Sequence, residues 1–168
     1  MKRARDEEKS HVDKYQKMSE DEAQDLVVKD GDDDDVLNAT IRDASKKQKK
    51  IALQMAAWRG FIDVMNVLIQ DESNMNAVQE VNGIALQYAA SNGHSDVTKV
   101  LIQNGADVNV VDKESKTVLH NAAWNGHVDV AKVLIQNDVD VNAVDKYKQT
   151  ALHYAAHKGN VDIAKVLI

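Results

Sequence analysis

From about residue 47 onward, the apolar positions fall into short clusters with helical spacing, two clusters to a unit. In the stretch 117–136, Val118, Leu119, Ala122 and Ala123 mark one short helix, and Val128, Val130, Ala131, Val133, Leu134 and Ile135 mark a second. Gly126 stands between them, where a left-handed residue is expected to end the first helix. Polar, Asp- and Asn-rich stretches follow the second helices, "NGADVNVVDKESK" at 104–116 and "NDVDVNAVDKYKQ" at 137–149. These predict turns or hairpin-like connections to the next unit.

The pattern repeats. "IALQMAAWRGFIDVMNVLIQ" from Ile51, "IALQYAASNGHSDVTKVLIQ" from Ile84, "TVLHNAAWNGHVDVAKVLIQ" from Thr117 and "TALHYAAHKGNVDIAKVLI" from Thr150 follow one another at a step of 33 residues without insertion. A unit of this size has one apolar face and cannot close a core alone. Stacking neighbours is the physical solution, and it predicts an all-α solenoid in which each unit contacts the next. The units run 47–79, 80–112, 113–145 and 146–168, the last one truncated.

Residues 1–46 are different in kind. Lys, Arg, Asp and Glu dominate the first 35, which close on the acidic run Asp32 to Asp35. Such a segment buries too little apolar surface to offset its ordering entropy, so it is expected to be largely disordered. Two helical signals interrupt it: Ser19 with Glu22 at capping-box spacing, and the apolar set Val36, Leu37 and Ile41, which predicts a capping helix near 36–45 over the open end of the first unit.

The run Thr117 to Asp145, close to "TxLHxAAxxGHxDVxKVLIxxGADVNxxD", resembles the ankyrin repeat family, and the resemblance covers residues 47–168. It implies paired antiparallel helices with hairpins projecting roughly perpendicular to them, and binding of other proteins through the hairpin tips and inner helices. Thr117 and Thr150 are placed to cap first helices, within reach of His120 and His153 three positions on. In the first two units both residues change together, to Ile51 with Gln54 and Ile84 with Gln87. A Thr-to-Ile cap loss costs about 1 kcal/mol, so these helices are expected to start less firmly. No Pro occurs: Ala52, Ala85, Val118 and Ala151 occupy the first helical slot where the family has it. The Gly that follows the second helix survives as Gly105, with Glu72 and Asp138 in its place elsewhere, at a cost of about 1 kcal/mol each if φ stays positive.

Composition narrows the chemistry. With no cysteine, disulfides and thiolate metal sites are excluded. Of the six histidines, four recur at the repeat period (His94 with His127, His120 with His153), so their spacing reflects the repeat and favours structural hydrogen bonding over metal ligation. No nucleophile elbow or phosphate loop is present, and the reading is noncatalytic, with no cofactor and no small-molecule substrate. Net charge of −6 argues against nucleic acid, and no apolar run is long enough to insert in a membrane. A cytoplasmic protein is expected, or a nuclear one if the basic clusters at 2–5 and 45–50 act in import, although such runs are more often simply solvated.

The partner is therefore expected to be another protein. The two residues after each Ala-Ala pair face outward in the family: Trp58 and Arg59, Ser91 and Asn92, Trp124 and Asn125, His157 and Lys158. Trp and Arg are enriched at interface hot spots, and an exposed Trp is unfavourable unless it meets a partner or packs sideways on a neighbouring helix. Hairpin-tip residues join them, Lys113, Glu114 and Lys116 in one tip and Lys146, Tyr147 and Gln149 in the next, a mixed-charge set suited to a polar surface with an aromatic anchor. Inhibition of a transcription-factor-like partner, as in proteins resembling the NF-κB inhibitors, and service as the targeting arm of a longer enzyme or channel are the rival functions. Asn109 and Asn142, each after Asp-Val and eight residues past a Leu, resemble the family's asparaginyl hydroxylation sites, while structurally the same Asn braces a turn. Finally, the chain closes on Val166, Leu167 and Ile168, the counterparts of Val133, Leu134 and Ile135. That is the pattern of a fragment cut within a repeat, expected to be monomeric unless this apolar edge self-associates.

Overall fold

The computed structural model describes residues 44–70 and 75–168. The helix signalled at Ser19–Glu22, all but the last two residues of the one expected near 36–45, the disorder expected of the leading segment, the basic cluster at 2–5 and the conformation of Glu72 lie outside the described residues; of those last two, Ser45 is extended and caps the first described helix. Within them, eight helices alternate between two rows. The inner row is α1 (Lys46–Arg59), α3 (Met75–Asn92), α5 (Val118–Asn125) and α7 (Ala151–Lys158), and the outer row is α2 (Ile62–Gln70), α4 (Ser95–Gln103), α6 (Val128–Gln136) and α8 (Val161–Leu167). Each inner helix packs on the next inner helix and each outer on the next outer, so the helical solenoid is the observed architecture.

Small residues set the spacing of the rows. The pairs Ala56–Ala57, Ala89–Ala90 and Ala122–Ala123 are fully buried, as are Leu53, Leu86 and Leu119 of the inner helices and Leu68, Leu101 and Leu134 of the outer ones. Without long side chains at the pairs, backbones approach closely and the leucines fill the space between rows. In the last unit the same slots are more open: Leu152 and Ala156 are exposed, Leu167 is half-buried and Ile168 is exposed.

Each inner helix ends on a left-handed glycine, as expected for Gly126, whose φ is +82° and whose N–H donates to the Ala122 carbonyl at 3.0 Å. At Gly93 the constraint is double: φ is +79°, and an added Cβ would lie 2.7 Å from the His127 ring. Asp138, in the slot of Gly105 (φ +86°), does adopt φ +61°. Asp138→Gly should therefore raise stability by about 0.5–1 kcal/mol, seen as a higher thermal midpoint; an unchanged or lower midpoint would contradict the strain.

The inner helices of the first two units do not begin where the family pattern puts them. In the third and fourth units Val118 and Ala151 are the first helical residues, capped by Thr117 and Thr150. Ala52 and Ala85, however, lie well inside α1 and α3, so the loss of the Thr cap at Ile51 and Ile84 does not weaken a helix start; it removes the start altogether. The helix α1 runs back to Ser45, whose Oγ accepts from the Gln48 N–H while Gln48 Oε1 accepts from the Ser45 N–H at 2.8 Å. The "SKKQKK" run is thus a capped first turn, with Lys50 paired to Glu80 of α3 and Lys46 3.6 Å from the same carboxylate.

Candidate functional site

Two hairpins, at 104–117 and 137–150, stand beyond the inner row. In each, one Asp holds the turn. Asp112 Oδ1 accepts from the N–H groups of Glu114 (2.7 Å) and Lys116 (2.9 Å), and Asp145 Oδ1 accepts from those of Tyr147 (2.8 Å) and Gln149 (2.9 Å). Ser115 and Lys148 supply the left-handed turn residue, at φ +60° and +62°. Burial pushes the Asp145 carboxyl up, yet the Gln149 N–H, the Tyr154 hydroxyl (2.7 Å to Oδ2) and the Tyr147 N–H outweigh it and hold the group below the ordinary carboxylate range. The same contact, after burial itself, drives the Tyr154 hydroxyl far above the usual tyrosine range, so that it stays a donor.

The hairpins are tied to each other. Lys146 N–H donates to the Glu114 carbonyl at 3.0 Å, and the Glu114 carboxylate sits between Lys146 Nζ (2.6 Å) and Lys116 Nζ (2.9 Å). Those hydrogen bonds, Lys146 first, hold the Glu114 carboxyl below its ordinary value. Asn109 Oδ1 accepts from the Asp140 N–H at 2.8 Å, bracing one hairpin on the next, while the Asn142 N–H donates to Asp140 Oδ1 at 2.9 Å. Of the tip residues, then, Glu114, Lys116 and Lys146 bind one another. Gln149 has its backbone engaged and an exposed side chain, Lys113 is exposed, and Tyr147, 63% exposed, carries Lys146 Nζ over its ring at 4.9 Å from the centroid.

Histidines and their counterparts stitch the units together. His94 Nε2 lies 2.9 Å from the Trp58 carbonyl, His127 Nε2 3.0 Å from that of Ser91, and Asn160 Nδ2 donates to the Ala123 carbonyl at 2.7 Å. His120 reaches forward instead, with Nδ1 accepting from the Thr117 N–H (3.1 Å) and Nε2–H donating to the Gln149 carbonyl (2.9 Å). Among the described residues no three His, Asp or Glu side chains gather closely enough to hold a metal ion.

Along the inner row, Arg59, Asn92, Trp124, Asn125, His157 and Lys158 are exposed, and Trp58 and Ser91 are half-buried. Trp124 forms the centre of an aromatic group: His157 stacks on it (5.7 Å, 9° between planes), Tyr154 meets it edge-on at 5.7 Å, and Lys158 Nζ lies 3.9 Å from its ring centroid. Even so the indole remains 36% exposed. Arg59 lies over the Trp58 ring at 5.4 Å, and Asn125 Nδ2 bridges the Ser91 and Asn121 carbonyls, both at 3.1 Å. Sequence reasoning passed over Tyr154 and its counterparts Met55, Tyr88 and Asn121, half-buried on the same row. Their signal is variability: the slot just before each Ala-Ala pair reads Met, Tyr, Asn and Tyr in successive units, while the pair itself and the Leu two residues before the slot do not change.

Among the described residues no helix is long and apolar enough to cross a membrane. A family model described as ankyrin repeats (3 copies) matches residues 25–112 and 86–168, beginning upstream of residue 47. No curated protein matches the chain.

Proposed function

Because this chain belongs to the ankyrin repeat family, whose members generally serve protein–protein interaction, we propose that it is a noncatalytic module that grips another protein on its inner row and hairpin tips. The contacting residues are Trp58, Arg59, Ser91, Asn92, Trp124, Asn125, His157 and Lys158, with Lys113, Glu114, Lys116, Lys146, Tyr147 and Gln149 at the tips. One observation carries the reading: Trp124 keeps more than a third of its surface open at the middle of a rigid aromatic group. A preordered anchor of this kind loses little entropy on binding, and truncation of such anchors weakens complexes most. Glu114, Lys116 and Lys146 act on the partner as a fixed cluster, since their charges are already matched across two hairpins.

Partners captured on immobilised wild type should bind a Trp58→Ala, Trp124→Ala double variant at least about tenfold more weakly. An outer-row variant, Lys99→Ala with Lys132→Ala, should bind as wild type. Equal capture by the double variant, once its helix content is shown to be intact, would sink this choice of surface.

A further inference from the structure

Charge is distributed unevenly between the two rows. On the outer helices, Asp96, Asp129 and Asp162 stand three residues before Lys99, Lys132 and Lys165 and 3.4–3.8 Å from them. The inner helices hold a single acid, Glu80 of α3, and Lys46 and Lys50 of α1 share it. Among the described residues no carboxylate pairs with Arg59 or Lys158, both exposed. Each lies instead over an indole, Arg59 at 5.4 Å from the Trp58 centroid and Lys158 at 3.9 Å from that of Trp124. Both stand in the last turn of their helix, so the ring and the helix dipole fix each cation in place without neutralising it.

The 33-residue register sets the separation of these cations. Arg59 and Lys158 occupy the same slot three units apart, and one residue earlier the column reads Trp58, Ser91, Trp124 and His157. Ser91, the smallest side chain of that column, leaves room between the two indoles. Its floor is fixed, because the Ser91 carbonyl is bonded to Asn125 Nδ2 at 3.1 Å and to His127 Nε2 at 3.0 Å. At about 9 Å per packed helix the cations lie roughly 27 Å apart, a span that an extended chain covers in about eight residues. We propose that the inner row takes an extended segment of a partner protein that is acidic at both ends, toward Arg59 and Lys158, and apolar in the middle, over Ser91 between the two tryptophans. The hairpins, where Asp and Glu outnumber Lys, disfavour the same acids, which are thereby directed to the inner row. This partner chemistry rests on the inner-row reading above.

Trp58 and Trp124 are the only tryptophans of the chain, so intrinsic fluorescence reads the site directly. A terminally blocked peptide of about ten residues, with glutamate pairs at both ends and a central phenylalanine, should quench the full chain saturably in about 20 mM salt. Its counterpart with glutamine in place of glutamate should bind about tenfold more weakly, and this preference should vanish in about 0.5 M salt. Arg59→Gln and Lys158→Gln should each weaken the acidic peptide about threefold and leave the glutamine peptide unchanged. Lys99→Gln with Lys132→Gln, on the outer row, should bind as wild type. Equal binding of the two peptides, no saturable quenching by either, or an acidic peptide indifferent to the Arg59→Gln, Lys158→Gln double variant would each overturn the proposal. If partner capture still depends on Trp58 and Trp124 in that event, the interaction-module reading stands and the acidic chemistry alone fails.

Discussion

Asp145→Ala is expected to destabilise the protein by about 3 kcal/mol in urea unfolding, because it strands two backbone N–H groups and a tyrosine hydroxyl that now donate to one carboxylate. Asp112→Ala supplies the internal control. Asp112 accepts the equivalent two N–H groups, but Asn121 stands where Tyr154 would be, so about half that loss is expected. The pH dependence follows from the depressed carboxyl. A group whose folded value lies below its unfolded one contributes stability that is fully present above about pH 4 and is lost as pH falls through the folded value. Glu114, depressed by Lys146 and Lys116, adds to the same acid limb. The gap between wild type and Asp145→Asn should therefore be widest near neutrality and narrow below about pH 3; an equal gap at both would contradict the assignment.

His120→Ala should cost about 2 kcal/mol, against about 0.5 kcal/mol for His153→Ala. Both rings take part in a capping box with the preceding Thr. Only His120 is buried, meets Tyr154 edge-on at 5.3 Å and bonds to the Gln149 carbonyl of the following hairpin, whereas His153 is exposed. Its removal takes away a cap and a link between units together. Chemical unfolding of the two single variants decides it, since equal losses would mean that the cap alone matters.

The third unit was legible almost residue by residue, and the reason is local. Thr117 and His120 form their box as the spacing implied, Gly126 ends α5, and Asp112 and Asp145 nucleate the turns that the polar stretches predicted. The first two units were misread because the pattern was judged by what it kept, the Ala-Ala pairs and leucines, and less by what it lost. Where the hairpin Asp recurs as Asp112 and Asp145, the second unit has Gln79, and its cap Thr is Ile84. Without a carboxylate to gather the turn's N–H groups and a hydroxyl to start a helix, nothing interrupts helix propagation, and α3 runs from Met75 through both positions. The inner row was legible as a set of slots. That Trp124 is partly covered by Tyr154, His157 and Lys158 was not, because it depends on the rotamers of the following unit.

The uninterrupted α3 gives the two ends of the stack different mechanics. At 18 residues it is a rod of roughly 27 Å, packed on α1. A sideways push on its leading end is carried to Ser91 and Asn92 by one continuous helix, whereas between the third and fourth units such a push also crosses the hairpins, through the contacts of Asn109 with Asp140 and of Glu114 with Lys146. Load near the start of α3 is thereby borne by a single helix, and load on one hairpin tip is shared with the other.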